Sequence, residues 1–587
     1  MTRETLDTIG LRRGVPQASD DRDYLTTYEA AVGRMRAPLT DVVVVARGYA
    51  IALGNTFAER YPDSTVHVLA GEWKPPEGVE DQDPLSNVHV HHWQRTDDLV
   101  AVLSTQPRPQ LLVLALHRKT EAKVAALRKV HGFVQAEGVL AVENIDRAPT
   151  DVSTSPAGDS LRSVIEEAAR RAPEPPPKHG WSTWLDAFAQ SIGDVTYHGQ
   201  LALVSKRETL GRTLRGEETV EVLAARYGEA SPVTVLESQP GFPFEGCARV
   251  ASHGRGPELA SGPFTIPTLE LRHYSRALVY PRQLVAYDEY WLPDTFRHQH
   301  ATRLRHRGIL KSGDHLAMVR PDWRPARRRR WDGPLYYLDT EFPGHFGHVS
   351  TEVVSRMWGW ERARQEFPEI RPLISLRPGT STVPTFMREI FDAYGIPSSR
   401  LVVQQGDEML EVADIVGADP EFENPRFVSP AIVQTWERIR DAFASVEPPV
   451  RAERIFVTRT ARRLCQQAPE IERFFADRGF AIVRPEDYSY GEQVQLFAQA
   501  RIIAGYGGSG MFTMMHAPHA RVILISGDGY SAKNEALIGA VNGNEVHYFW
   551  GRTQRSDPDP SRRRVAFGDD FTFNLRRHRW ALRRLLN

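Results

Sequence analysis

The period of apolar and polar positions changes several times along the chain. The run Asp41–Ala46 (DVVVVA) is apolar throughout and predicts a strand buried on both faces. Helical spacing follows over Ile51–Tyr61, then strands at Thr65–Leu69 and Val88–Trp93. Asp97–Ser104 predicts a helix, Gln110–Leu116 a strand, Glu121–Val130 a helix and Gly138–Glu143 a strand. Beyond the proline-rich Pro173–Pro177, Trp181–Ser191 predicts a helix, and Val195–Tyr197 with Leu201–Ser205 a hairpin. Strands and helices alternating at this spacing predict a doubly wound parallel sheet over residues 39–207. Residues 1–38 show no clear period and are expected to be a polar tail with a short helix near Tyr24–Met35.

The rhythm breaks over residues 208–330, where Pro, Gly and aromatics predict a β-rich connecting region. It resumes at Gly333. Leu335–Leu338, Leu373–Ser375, Arg400–Gln404 and Ala413–Val416 predict strands; Val349–Arg364, Val383–Tyr394 and Pro430–Ala444 predict helices. Glu447–Pro449 punctuates the chain. A third series runs through strands at Arg454–Thr458, Ala481–Val483, Arg501–Ala504 and Arg521–Ile525, with helices between them. The expected fold class is α/β: a Rossmann-like domain, then two Rossmann-like lobes over 331–446 and 447–587. The stretch Leu575–Leu586 has helical period and would cap a lobe.

Composition narrows the function. The chain has 587 residues, 41% hydrophobic and 25% charged, with a formal net charge of −1. That is ordinary globular composition, and it excludes a global polycation that binds nucleic acid by charge alone. Of 73 basic residues only eight are Lys. Arginine suits bidentate contact with phosphate, although a general bias toward Arg gives the same count. Cys247 and Cys465 have no metal spacing, and no apolar run is long enough to span a membrane. A cytoplasmic protein is expected.

The chemistry concentrates near Arg501–Met511 (RIIAGYGGSGM), which reads as strand, glycine turn and helix. Gly505, Gly507, Gly508 and Gly510, with Ser509, would let backbone amides converge on a phosphate. Arg459, Arg462 and Arg463 follow the strand Ile455–Thr458, at the edge where open α/β sheets bind ligands. Close packing by the glycines and surface positions for the arginines are the plain alternatives.

The ordered motifs Arg459, Arg462–Arg463, Gly479–Phe480, Pro485–Glu486, Glu492–Gln493 and Gly505–Gly510 resemble glycosyltransferase family 61 over about residues 268–550. Upstream, Gly344–Glu352 (GHFGHVSTE) resembles that family's segment opening a helix. The resemblance implies a GT-B-type, inverting transfer from a nucleotide sugar, with a UDP-sugar as the favoured donor. The acceptor implied is a hydroxyl of a saccharide or glycolipid in surface polysaccharide or capsule biosynthesis. His348 is then the candidate base, since an unperturbed imidazole titrates near neutrality. Glu352, four residues on, would orient His348 or replace it. Arg459, Arg463, Gly507, Gly508, Ser509 and Gly510 would hold the diphosphate, and Glu492, Lys533, Asn534 and Glu535 the ribose, sugar or base. Helix capping is the plain alternative for His348 and Glu492. No essential metal is expected; Asp557 and Asp559 lie in a Pro/Ser/Arg loop. Peripheral contact with the inner face of a membrane would fit, with Arg327–Arg330 as one contact for an anionic acceptor or lipid surface. No nucleic-acid partner is expected.

The chain departs from the family pattern at Gly507, Thr513 and Gln466–Gln467, where His, Asn and an Asn-Glu pair are usual. Residues 40–207, β/α repeats closed by a hairpin, resemble class I methyltransferases. Their glycine loop is reduced to Gly48, and the usual acidic position is apolar. Glu72 would bind a ribose and Asp97–Asp98 an adenine amine, but S-adenosylmethionine chemistry is not the expected function. Two alternatives stand beside glycosyl transfer. One is a bifunctional protein that also methylates the sugar; the other is a non-catalytic scaffold of two degenerate domains.

Overall fold

The computed structural model describes residues 4–72, 82–116, 120–146, 160–175, 183–260, 262–554 and 566–586. The chain forms two compact units. The first holds residues 1–232, 286–293 and 302–324; the second holds 233–285, 294–301 and 325–587. The stretch 208–330, expected as one connector, is therefore divided between them. Its short returns from one unit to the other leave no run long enough to show a period.

The first unit is built on β1 (Asp41–Ala46), β2 (Thr65–Gly71), β3 (Val88–Trp93), β4 (Leu111–Ala115), β5 (Val139–Glu143), β6 (Ile192–His198) and β7 (Leu201–Lys206). Their order in the sheet is 3-2-1-4-5-7-6, and only the last two joins are antiparallel. This is the parallel sheet with a closing hairpin that the sequence predicts. Alternation in β1 explains its unbroken apolar run. Val43 and Val45 face one helical layer, Val42 and Val44 the other, and all four are fully buried. Residues 1–38 correct the expectation of a tail. Leu6–Arg13 and Leu25–Val32 are helices, and Leu6, Leu25 and Tyr28 are buried against the β1 face that carries Val42. Leu25–Val32 is the short helix expected near Tyr24–Met35, whereas the eight residues of Leu6–Arg13 are too few to display a 3.6 period.

The second unit contains β8 (Val233–Gln239), β9 (Arg249–His253), β10 (Leu269–Tyr280), β11 (Arg327–Tyr337), β12 (Arg371–Ser375), β13 (Val402–Gln404) and β14 (Glu408–Ala418). It continues with β15 (Arg454–Val457), β16 (Ala481–Val483), β17 (Ile502–Tyr506), β18 (Arg521–Gly527) and β19 (Glu545–Thr553). One sheet runs 8-10-14-11-12-13. Strands β11 to β14 within it are mutually parallel, while β8 and β10 add on antiparallel. The other runs 9-19-18-17-15-16 with every join parallel, and Phe571–Thr572 adds antiparallel to the end of β19. Along this sheet the chain order reverses between β15 and β17. Such a reversal opens a crevice at the carboxyl ends of the two strands.

The expected helix Val349–Arg364 is not one regular helix. Phe346–His348 starts as α, Val349–Val353 is a π turn, Val354–Gly359 is 3-10, and Trp360–Glu366 returns to α. Apolar spacing alone does not separate these windings. The Arg327–Arg330 run lies at the start of β11, exposed but neutralised. Its side chains pair with Asp407 (2.7 Å), Glu411 (2.8 Å), Glu408 (3.1 Å) and Asp332 (2.7 Å) in turn. Three of those acids come from or beside β14, the neighbouring strand. The pairing removes the reason to expect an anionic partner there.

Candidate active site

A cavity of about 880 Å3 opens in the second unit at the β15/β17 reversal, within the size range of small-molecule sites. One wall is the loop after β15, with Thr458, Arg459, Ala461, Arg462 and Arg463. Gly508, Ser509 and Gly510, following β17, form the next. The start of the Phe346–Val353 turns supplies His345, Gly347, His348, Thr351 and Glu352.

The arginine loop is bent sharply. Arg462 and Arg463 both adopt left-handed backbone, at φ +55° and +51°. Each such non-glycine residue costs on the order of 1–3 kcal/mol, and strain of this kind gathers at functional sites. The bend lays Arg463 over Tyr530 and Phe567, 5.0 and 5.2 Å from the ring centroids. Arg459 donates to the carbonyls of Tyr506 and Gly507 at 2.7 and 2.8 Å, which ties the arginine loop to the glycine turn. Burial first, and Arg463 second, pull the Arg459 guanidinium down to about 10, so it stays charged at neutral pH. Among the described residues neither Arg459 nor Arg463 forms a salt bridge; their acidic neighbours Glu535 and Glu486 act only at longer range. Two adjacent cations on a cavity wall are a site for an anion.

Gly508 has φ +143°, and a Cβ there would come within 2.6 Å of Arg463 Nη2 and 2.8 Å of Arg459 Nη2. A side chain at this position would strain the backbone and push both guanidiniums aside. The Gly508 amide is not available to a ligand, however. It donates to the carboxylate of Glu535 at 2.8 Å, which also accepts from the Tyr530 hydroxyl at 2.8 Å. This corrects the expectation that Gly508 offers its N–H to a diphosphate. Ser509 and Gly510 open the 3-10 helix Ser509–His516 and line the cavity. Gly507 lies beneath the turn, where a Cβ would meet Ser526 Oγ at 2.3 Å. A larger residue there would require a different packing of β18.

His348 is held from three sides. Its ring stacks on Phe342 (4.2 Å, 12° between planes), His345 packs edge-on at 4.9 Å, and Nδ1 lies 2.7 Å from Glu352 Oε1. Burial alone would raise the Glu352 carboxyl. Arg297 at 2.8 Å, His348 and the Thr340 hydroxyl at 2.8 Å outweigh it and hold the group well below the usual carboxylate range. An ionised Glu352 accepts the Nδ1 proton, which leaves Nε2 of His348 as the acceptor. Burial, with His348 second, lowers His345 to about 4, so it is neutral near pH 7.

Arg297 comes from the segment 294–301, anchored by Thr295 to Val285 and by Gln299 to Asp419. Its Nε and the Nδ1 of His345 are buried without hydrogen-bond partners on this wall. Buried polar atoms of this kind ask for a ligand or water. The two walls meet closely: a Cβ on Gly347 would approach Ser509 Cβ to 2.9 Å.

The cavity thus collects His348, Glu352, Arg459, Arg463, Gly508, Ser509, Gly510 and Asn534. Glu492, Gly507, Lys533 and Glu535 do not line it. Glu492 closes a capping box with Ser489, accepting its amide and hydroxyl at 2.8 and 2.7 Å. Gly507 is buried, and Lys533 donates its backbone amide to Asn424 at 3.3 Å. Sequence reasoning missed Arg297 and Tyr530 and had His345 only as a motif residue; Glu535, expected to contact base or ribose, is instead buried beneath Gly508. Glu486, quoted only as a motif residue, lines the cavity. Asp557 and Asp559 lie outside the described residues. Among the described residues no group of three or more His, Cys, Asp or Glu is placed to hold a metal ion, and no helix is long and apolar enough to cross a membrane.

In the first unit the candidate cofactor residues are engaged with the protein itself. Asp98 caps its own helix through the amides of Gln94 (2.9 Å) and Arg95 (2.8 Å). Asp97 pairs with Lys129, and Glu72 accepts from Gln94 at 3.1 Å. Arg47, the residue before Gly48, lies 4.8 Å over Trp93 and packs on Gly71.

Residues 346–524 match the model of the family Glycosyltransferase 61. That segment contains His348, Glu352, the arginine loop and the glycine turn, and the match supports glycosyltransferase activity in general. Solved structures similar to the chain include MycE, a methyltransferase from the mycinamycin biosynthetic pathway, in complex with Mg, SAH and mycinamycin VI. It shows 8% identity over 35% of this chain and 56% of that one, with a TM-score of 0.29. A putative O-methyltransferase from Nostoc punctiforme shows 13% identity over 28% and 51%, TM-score 0.18. TibC, a bacterial iron-containing dodecameric glycosyltransferase from enterotoxigenic E. coli, shows 12% identity over 46% and 79%, TM-score 0.18. The chain spans little more than half the length of the first of these. No curated protein matches.

Proposed function

We propose that the second unit is an inverting glycosyltransferase acting on a nucleotide sugar, with a UDP-sugar as the first donor to test. One observation carries the reading. Two guanidiniums that form no salt bridge among the described residues and a carboxylate-held histidine line a single cavity at a strand-order reversal. The donor's diphosphate lies against Arg463 and Arg459, beside Ser509 and Gly510. Tyr530 and Phe567, stacked at 5.3 Å, back Arg463, and Asn534 faces the nucleoside. Nε2 of His348 takes the proton of the acceptor hydroxyl. That oxygen then attacks the anomeric carbon from the face opposite the departing diphosphate. The new glycosidic bond forms as the sugar–phosphate bond breaks, and the electron pair leaves on the nucleoside diphosphate. Arg463 and Arg459 neutralise that charge, a job that fixed cations do well in a cavity. No essential metal is therefore assigned. The acceptor class is a saccharide or glycolipid hydroxyl, in surface polysaccharide synthesis on the cytoplasmic side of a membrane.

Release of UDP from a panel of UDP-sugars, with and without simple saccharide acceptors, tests this. Arg463→Ala should lower kcat/KM by about 10²- to 10³-fold. Full activity in that variant would remove the diphosphate assignment.

A further inference from the structure

The helix Leu575–Leu586 (LRRHRWALRRLL) carries one of the most lopsided charge distributions in the molecule. Its inner face, with Leu575, His578, Leu582 and Leu586 buried, packs on the second unit. Arg454 Nη1 and Arg521 Nη1 donate to the carbonyls of Leu586 and Leu585 at 3.1 and 2.7 Å and pin its last turn. The helix is thereby fixed, and its outer face is a set surface. That face holds Arg576, Arg577, Arg579, Arg583 and Arg584, all exposed, with no acid among the twelve residues. Among the described residues none of the five forms a salt bridge. Instead Arg579 and Arg583 stand near Arg478 and, after burial, depress its guanidinium further. Like charges have been gathered here, in contrast to Arg327–Arg330.

In their midst is Trp580, 73% exposed, by far the most exposed large hydrophobic residue among those described. Arg584 sits 5.8 Å over its ring. An indole held out from a helix is costly in water and gains nothing from its own fold. It suits the boundary between lipid headgroups and acyl chains, where an apolar ring with a polar edge is stabilised. Arginines around it suit the anionic headgroups of the same surface. A single-stranded nucleic acid also offers anions and stacking faces. It is normally held in a groove lined by several aromatic platforms, whereas this is one ring on a convex helix.

We propose that the outer face of Leu575–Leu586 is a docking surface for an anionic phospholipid membrane, with the arginines on the headgroups and Trp580 inserted between them. The helix leaves the carboxyl edge of the parallel sheet, where Phe571 and Thr572 pair with the end of β19, and returns to the amino ends of β15 and β18. Its membrane face therefore flanks the sheet and does not lie across the cavity mouth. The inference stands whether or not the cavity transfers a sugar.

The test is co-sedimentation of the full chain with phosphatidylcholine vesicles, with and without phosphatidylglycerol, and titration with a single-stranded oligonucleotide. Binding should require the anionic lipid and weaken with salt. Arg579→Glu with Arg583→Glu should reduce the partition coefficient at least about 25-fold, near fivefold per arginine. Trp580→Ala should reduce it severalfold while leaving the salt dependence in place. Circular dichroism and UDP-sugar turnover should be unchanged, since these side chains touch neither the core nor the cavity. Equal binding to neutral vesicles, unaltered binding by the charge-reversed variant, absence of binding to anionic vesicles, or binding to the oligonucleotide alone would each overturn the proposal.

Discussion

The molecule contains two parallel sheets with a reversal of strand order, and their carboxyl edges differ. In the first unit the reversal falls between β1 and β4, and the candidate carboxylates there are engaged with the protein, while the Nε of Arg47 and the Nδ2 of Asn144 are buried without hydrogen-bond partners. Asp98 caps a helix, Asp97 pairs with Lys129, and Arg47 covers Trp93. Glu143, at the end of β5, is buried under Tyr28 and Gln17 from the N-terminal helices and their link, at 2.6 and 3.1–3.2 Å. In the second unit the reversal falls between β15 and β17. There Arg459 and Arg463 face a cavity, and Arg297 and His345 leave buried polar atoms unpaired. The difference is that the second edge opens onto a cavity lined by two guanidiniums that form no salt bridge among the described residues, whereas the first edge's candidate carboxylates are tied into the protein. Arg459 ties the loop to the glycine turn and Arg463 stacks on Tyr530 and Phe567, yet both guanidiniums still line the cavity, and the proposed anionic ligand rests on that arrangement.

Variants can break or sharpen this contrast. The largest effect after Arg463→Ala should come from His348→Ala. Removing a general base should lower kcat about 10²-fold with little change in KM, and an unchanged kcat would reassign the base. A smaller effect is a stability change with pH. Glu352 is held below its ordinary value near 4.5 in the folded state. Its contribution is therefore complete above the unfolded value and is lost as pH falls through the depressed folded one. Thermal melts of the wild type should fall on acidification below about pH 4.5, and Glu352→Gln should flatten that limb. Parallel limbs would mean that Glu352 is not held as described. The smallest effect is expected in the first unit. Calorimetry with millimolar S-adenosylmethionine should give no binding heat in wild type or Glu72→Ala. A heat lost on substitution would show that the first edge is also a ligand site.

Much of the fold was legible because apolar runs such as Asp41–Ala46 and Arg521–Ile525 announce buried parallel strands. The order of those strands exposed the glycine turn and the arginine loop as neighbours. What escaped had no periodic signature. Leu6–Arg13 is short, the turns over Val349–Gly359 mimic one helix, and Arg297 lies in an aperiodic segment of an arginine-rich chain. Glu535, expected to contact base or ribose, instead accepts from the Gly508 amide and the Tyr530 hydroxyl, a role set by burial that no local pattern reveals. Glu492 was misplaced for the opposite reason: Ser489-x-x-Glu492 is also the sequence of a helix cap, and the cap is what it forms.

The central claim is that the second unit's cavity binds a nucleoside diphosphate through Arg463. A thermal-shift panel of nucleoside diphosphates, run on the wild type and Arg463→Ala, addresses it directly. At a concentration 100 times Kd a bound ligand stabilises the fold by about 2.7 kcal/mol. The account predicts a rise in Tm with at least one nucleoside diphosphate in the wild type and its loss in the variant. No shift with any nucleotide, or the same shift in both proteins, would contradict it.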